Sequence, residues 1–394
     1  MRHLTIHAAF LTVALQASSV AARERLPEPV DRLDTRPARL RGCVDVRDFG
    51  ASANAGTSVQ SDSAAAFQAT ADEALRTGRS ICIPAGSYYL SAGFKIEQSE
   101  TISDATPRPS IVGDGDGTTR LVFGPGDFAG ITYVGGRSGA GPHVYAEIRG
   151  MRLEKADVRG SALRLSRTAF LSVARVTALG WHVGLEGTDV LLTSVRDTTL
   201  VWNHYGAMLA RGTFSHPNAI AFSDSRIGNN AECGILAKHP TLLSVQGGEV
   251  GANGVTGTST RRGGIVVDGG PLEGGVGLVA DHVYFEGNTG LADVIIQADG
   301  ASGVHSIHAS TFNRVSAKSF ATNMVRASGA ALVKIDLSAN AFKRLGDYSP
   351  KPERPYVDMS GATHPDSKLV FSDSNLMDDP VVEGRLRLPP AAPR

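Results

Sequence analysis

A loose repeat constrains this chain more than any other feature. An apolar residue is followed five positions later by a second one, and three positions after that by an asparagine. Val195, Leu200 and Asn203 form one copy; Phe222, Ile227 and Asn230 the next; then Val245, Val250 and Asn253, and Ala280, Phe285 and Asn288. Weaker copies start at Val173 and Ile307, so successive starts are separated by 22, 27, 23, 35 and 27 residues. A unit this short cannot bury its own apolar face. Copies must stack so that each covers its neighbour. Spacing that varies while the triplet stays constant means that turns differ in length and stacked strands do not. The longest interval contains Gly254 to Gly264 and reads as a loop inserted between two coils. The recurrent asparagines read as turn residues whose amides bond to the coils above and below, rather than as catalytic groups.

The rest of the chain fits such a stack. Its 394 residues include 45 glycines and only 6% aromatics, which suits many tight turns between short strands. Cys43 to Phe49 alternates like a strand. Asp62 can cap a helix over Ser63 to Thr77, with an apolar stripe of Phe67, Ala71, Ala74 and Leu75 and a stop at Gly78. Ser80 to Ile83 is a short strand, turned by Pro84, Ala85 and Gly86. Strand-and-turn patterning continues to about residue 345 without a second helix. The expected fold is all-β: a single-stranded right-handed parallel β-helix over 43–345, with an N-terminal capping α-helix that covers the open strand edge of the first coil. Residues 346–394 are expected to form a C-terminal extension whose Pro-rich end, from Asp378, is disordered.

Arg2, the short apolar run Ala8 to Leu15 and the small residues Ser19 and Ala21 read as an export signal over 1–22. A Pro/Arg-rich linker over 23–42 follows. The expected location is therefore secreted or periplasmic, with no membrane span. Lys plus Arg number 39, as do Asp plus Glu. This balance argues against a general nucleic-acid partner but leaves room for a local charged groove. The oligomeric state is not readable. Three cysteines exclude a complete disulfide framework. Cys43 and Cys82 can pair in an oxidising compartment, but buried free thiols are the preferred reading.

Val46-Arg47-Asp48-Phe49-Gly50-Ala51, Asp62-Ser63-Ala64-Ala65-Ala66-Phe67-Gln68, Ile81-Cys82-Ile83-Pro84-Ala85-Gly86-Ser87-Tyr88 and Ile111-Val112-Gly113-Asp114-Gly115 together resemble the pectate-lyase-like β-helix superfamily, in its rhamnogalacturonase/epimerase-like branch. The resemblance covers about residues 44–125 and implies the first strand, the capping helix and the first coils. That superfamily contains lyases, glycoside hydrolases, uronate epimerases and phage tailspike domains, so it does not choose the chemistry. The paired-Asp and Gly-His-Gly motifs of polygalacturonases and the Asp-Pro-His motif of alginate epimerases are missing. No catalytic residue is carried over.

The repeat supplies candidates independently. Two positions after the first apolar residue stand Arg175, Asp197, Asp224, Gly247 and His282; four positions after it stand Thr177, Thr199, Arg226, Glu249 and Tyr284. With both apolar positions pointing inward, Asp197, Asp224, Arg226, Glu249, His282 and Tyr284 fall on one outward patch. An ordinary solvated polar face is the alternative. For β-elimination, His282 or Tyr284 can exchange protons and Arg226 can grip a uronate carboxylate. Asp197, Asp224 and Glu249 can instead gather Ca²⁺, an optional cation; no cofactor is required. For hydrolysis, Asp224 and Glu249 stand one coil apart, in the range for inversion. Arg175, Trp202, His204, Arg261 and Arg262 are candidate substrate contacts. Trp181-His182 and His204-Tyr205 offer further stacking surface. His305 and His308 imitate a metal pair, but the expectation is no metal site.

The expected function is an exported enzyme cleaving an acidic polysaccharide by β-elimination. Alternatives are a glycoside hydrolase on the same substrate class, a uronate epimerase, and a non-catalytic polysaccharide-binding or tailspike-like module.

Overall fold

The computed structural model describes residues 42–53, 61–98, 108–138, 141–142, 145–256, 261–269, 275–299, 303–314, 323–344, 355–377 and 386–388. The export signal expected over 1–22 and nearly all of the expected linker lie outside the described residues. The described chain is a right-handed parallel β-helix with three faces. The first and second faces share a 21-stranded sheet, and the third face is an 11-stranded sheet.

The repeat reappears as columns. Val173, Val195, Phe222, Val245, Ala280 and Ile307 are register partners on the first face. Ala178, Leu200, Ile227, Val250, Phe285 and Phe312 are partners on the second. All twelve are buried in the central core. Stacked inward side chains form ladders: Phe285, Phe312 and Phe342 follow one another at ring-centroid distances of 4.7 and 5.1 Å.

Between the first and second faces most coils bend over two residues, the first of them left-handed. Arg175, Asp197, Asp224, Gly247, His282, Ala309 and Ala339 occupy this corner, all with φ between 46° and 63°. The second corner ends in the asparagines. Asn203, Asn230, Asn253 and Asn288 are buried, each Oδ1 accepting from the backbone N–H of the preceding coil at 3.0–3.2 Å. Each Nδ2 donates to a carbonyl of that coil, at 3.2, 3.1, 3.0 and 2.8 Å. The ladder satisfies backbone groups that a corner would otherwise leave unpaired. The asparagines are structural, as the repeat implies.

α1 (Ala64–Thr77) covers the first coils. Asp62 Oδ1 accepts from the backbone N–H of Ala64 at 3.1 Å, and Gly78 ends the helix at φ 71°. Phe67 packs on Tyr88 and Phe94 at 5.5 and 5.4 Å.

Three expectations are corrected. The strand expected from Cys43 to Phe49 is only Val44–Asp45, because Asp45 caps a 3₁₀ turn over Val46–Phe49 that Gly50 closes at φ 95°. Coils do not stop near 345: Val357–Ala362, Lys368–Phe371, Leu376–Met377 and Leu386–Arg387 continue both sheets. Cys43 and Cys82 form a disulfide, with Cα atoms 5.8 Å apart, where free thiols were the preferred reading. Pairing of Val44 with Ile81 and Asp45 with Cys82 brings the two thiols together. Cys233 alone is free, and it is buried.

Candidate active site

The predicted acid–base patch exists as a surface. Arg226, Glu249 and Tyr284 are register partners on the second face, after Thr177 and Thr199. Asp197, Asp224 and His282 stand at the adjoining corner and are exposed, as is Arg175. Most of these groups are already engaged. Arg226 Nε lies 3.4 Å from Glu249 Oε2. His282 Nδ1 contacts Asp281 Oδ1 at 2.9 Å, and His308 Nδ1 contacts the same oxygen at 3.3 Å. Asn313 Nδ2 donates to the Tyr284 hydroxyl at 2.5 Å. Burial, then the carboxylates of Glu286 and Glu249, hold the Tyr284 phenol above its ordinary value against that bond. Asp224 and His282 are separated by Gly247, over which the Asp224 carboxylate lies: a Cβ there would meet its Oδ1 at 2.6 Å. Arg226 and Glu249 are therefore paired with each other, and His282 with Asp281. Among the described residues, no cluster of His, Cys, Asp and Glu is arranged to hold a metal ion.

A second constellation stands where the chain enters the third face. Val183, Tyr205, Cys233 and Gly263 are register partners there. The residues immediately before them, His182, His204, Glu232 and Arg262, therefore form a column along the helix axis. Three coil spacings span roughly 14 Å. The His182 and His204 rings stack at 4.8 Å, and Tyr205 stands edge-on to them at 5.6 and 4.8 Å. Burial, then the neighbouring His182, holds the His204 imidazole below its ordinary value, so it is neutral at pH 7. Burial, then Glu232, holds the Tyr205 phenol above its ordinary value, so it keeps its proton. A proton acceptor and a proton donor thus stand side by side.

His182 also lines an open cavity of about 300 Å³ shared with Asp127, Arg159, Arg164, Glu186 and Met208. Inside it Arg164 Nε meets Glu186 Oε2 at 2.7 Å, and the Ser161 hydroxyl donates to the same oxygen at 2.5 Å. Lys155 holds the cavity wall. Its side chain is fully buried, its ammonium donates to the carbonyls of Gly126 and Arg159, and it lies 4.0 Å from the Phe128 ring centre. Asp157 Oδ2 accepts from the backbone N–H of Gly126 at 2.7 Å. The turns that carry Asp127 and Arg159 are thereby tied to each other.

Of the expected substrate contacts, His204 and Arg262 join this column. Arg261 lies beside it, ion-paired to Asp268 at 2.6 Å. Trp202 is 64% exposed at the second corner, whereas Trp181 is buried with its indole N–H on the Leu153 carbonyl; Trp181 offers no stacking surface. His305 points into the core and His308 out of it, so they form no metal pair. The repeat does not flag Arg164, Glu186 or Glu232. Glu232 is hidden because its corner holds one residue more than the preceding coil, which moves it from the ninth to the tenth position after the first apolar residue.

No family model and no curated protein matches the chain. Solved structures do. ORF18 of Geobacillus virus E2 aligns with a TM-score of 0.64 at 13% identity, over 86% of this chain and 62% of that one. The gp42 tailspike of Acinetobacter phage vb_AbaP_AS12 aligns with a TM-score of 0.61 at 12% identity, over 86% and 58%. An alginate lyase from Paenibacillus sp. str. FPU-7 aligns with a TM-score of 0.52 at 13% identity, over 78% and 97%. The chain spans less than two thirds of either viral protein. At these identities the likeness is one of fold, the right-handed parallel β-helix.

Proposed function

We propose that the protein is an exported carbohydrate-active enzyme that cleaves an acidic polysaccharide by β-elimination at the His182–Arg262 column. The observation that carries this reading is the pairing of a neutral imidazole, His204, with a protonated phenol, Tyr205. β-Elimination needs both at once. His204 accepts the proton on the carbon next to the uronate carboxylate. That electron pair becomes the new carbon–carbon double bond as the glycosidic carbon–oxygen bond breaks, and Tyr205 gives its proton to the leaving oxygen. Arg262 carries the positive charge that offsets the substrate carboxylate. The fold is shared with an alginate lyase and a phage tailspike. The Cys43–Cys82 disulfide supports an oxidising compartment.

The test is an activity screen. Protein lacking residues 1–22 is mixed with acidic and neutral polysaccharides, with and without Ca²⁺. Ultraviolet absorbance of unsaturated ends and the release of reducing ends are followed together. Both signals should rise. His204→Gln should slow them by about 10²- to 10⁴-fold. Because burial lowers the His204 value, the acid side of the pH–rate profile should fall below the ordinary histidine value of about 6.5. Reducing ends without absorbance would replace elimination with hydrolysis, and an undiminished His204→Gln would remove the column from the chemistry.

A further inference from the structure

Two turns bound the cavity beside His182, one carrying Asp127 and the other Val158, Arg159 and Gly160. Both are held from the core. The buried Lys155 ammonium bonds the carbonyls of Gly126 and Arg159, and it lies 4.0 and 4.9 Å from the ring centres of Phe128 and Trp181. Burying an ammonium is costly, and what it secures is the placing of these turns. Their backbones touch: a Cβ on Gly160 would overlap the Phe128 carbonyl oxygen. Next to Gly160, Val158 is held at φ 51° with 46% of its surface exposed. A left-handed β-branched residue is strained, and a side chain in solvent returns little packing for that strain. The charges in the lining are not equivalent. Arg164 and Glu186 neutralise each other at 2.7 Å. Asp157 is committed to Lys155 and to the Gly126 N–H. Among the described residues, Asp127 and Arg159 take part in no ion pair, and both are exposed. A rigid rim with one unpaired anion and one unpaired cation, over a wall of Val158, Val183 and Met208, suits one ligand chemistry. A uronic acid residue brings hydroxyls, a carboxylate and an apolar CH face together. At about 300 Å³ the cavity is at the small end of ligand sites, so it takes one sugar ring and not a length of chain.

We propose that this cavity binds one uronate residue of the polysaccharide, the one adjoining the bond that is cleaved, and that Arg159 is the residue that selects it. This rests on the elimination proposed above. Arg159 grips the carboxylate through two parallel N–H donors. Asp127 accepts from the sugar hydroxyls, and the apolar wall takes the CH face. His182 joins the cavity to the column: it lines the cavity, and its ring stacks on that of His204 at 4.8 Å. A sugar seated here lies next to the proton acceptor, so binding it positions the adjoining glycosidic bond. Arg159 and Asp127 hold substrate, and neither moves a proton.

Titration calorimetry with tetrasaccharides of alginate and polygalacturonate, and with their carboxyl-reduced counterparts, measures this directly. The His204→Gln protein, in which turnover is slowed, is compared with the same protein carrying Arg159→Gln. Adding Arg159→Gln should weaken binding of an acidic tetrasaccharide at least tenfold and change binding of its reduced counterpart less than twofold. Adding Asp127→Asn instead should weaken both by a similar factor, because both sugars keep their hydroxyls. Melting curves establish that each variant is folded. Acidic-sugar binding unchanged by Arg159→Gln would overturn the assignment. So would equal losses for the acidic and reduced sugars, or a parent that binds no tetrasaccharide. The two proposals fail separately. Arg159-dependent binding of the acidic sugar with no unsaturated product from the parent sinks the elimination and keeps the uronate site. Unsaturated product with binding and KM independent of Arg159 does the reverse.

Discussion

His305 stands where Leu278 stands one coil earlier, pointing into the core, with 1% of its surface exposed. A bulge at Gly277 makes room: a Cβ on that glycine would lie 2.6 Å from the imidazole Cε1. Neither ring nitrogen has a hydrogen-bond partner. Burial pushes the imidazole down to about 4, from 6.5. Between those pH values only the unfolded chain gains the proton, so stability falls as pH drops from about 6.5 towards 4, by about 3 kcal/mol in all. His305→Leu should remove that acid sensitivity. The check is a pair of melting curves at pH 5 and pH 7, in which the variant loses much less on acidification than the parent; equal losses would clear His305 of the effect. The tryptophans carry the same lesson about single residues. Trp181 and Trp202 look alike in the sequence, yet one is buried and the other 64% exposed. Trp202 precedes its coil's asparagine, whereas Trp181 takes the asparagine's own place and donates its backbone N–H to Asn203 Oδ1.

Corners are the elements that make this fold. A left-handed residue turns the first corner and an asparagine secures the second, so neither needs a long loop. Asn230 shows what the ladder contributes. Its Oδ1 accepts from Asn203 N–H at 3.1 Å, and its Nδ2 donates to the Leu200 carbonyl at 3.1 Å. Asn230→Ala strands both of those buried groups and should destabilise the protein by about 2–4 kcal/mol. Thr199→Ala, on the outer side of the second face, should change stability by less than about 0.5 kcal/mol. Urea titrations of the two variants compare them, and similar midpoints would show that the ladder is dispensable. The repeat places Arg226, Glu249 and Tyr284 in one column but not Glu232, because one extra corner residue lies between Asn230 and Cys233.

At the scale of the whole molecule, a stack of coils has two ends, and each end is an open strand edge unless something covers it. α1 lies over the N-terminal end, and the Cys43–Cys82 disulfide ties the first strand to the next coil across a sequence separation of 39. Closing a loop of that size stabilises by up to about 4 kcal/mol. Reductant should therefore lower the melting midpoint, and unchanged curves would show that packing alone holds the cap. No helix among the described residues is long and apolar enough to cross a membrane. The order of residues along the chain is enough for the architecture: the paired apolar positions, the asparagines and the Asp62–Gly78 helix are local signals, and stacking is the only way that such short units bury their apolar sides. It also determined which residues share the Arg226–Tyr284 column, because those positions lie within the repeat. Folding settles which charges are paired, since ion pairs such as Arg226–Glu249 form between coils. It alone also brings His182, His204, Glu232 and Arg262 into one line. Their spacing in sequence passes through corners of unequal length, while in space every coil advances by the same strand-to-strand distance.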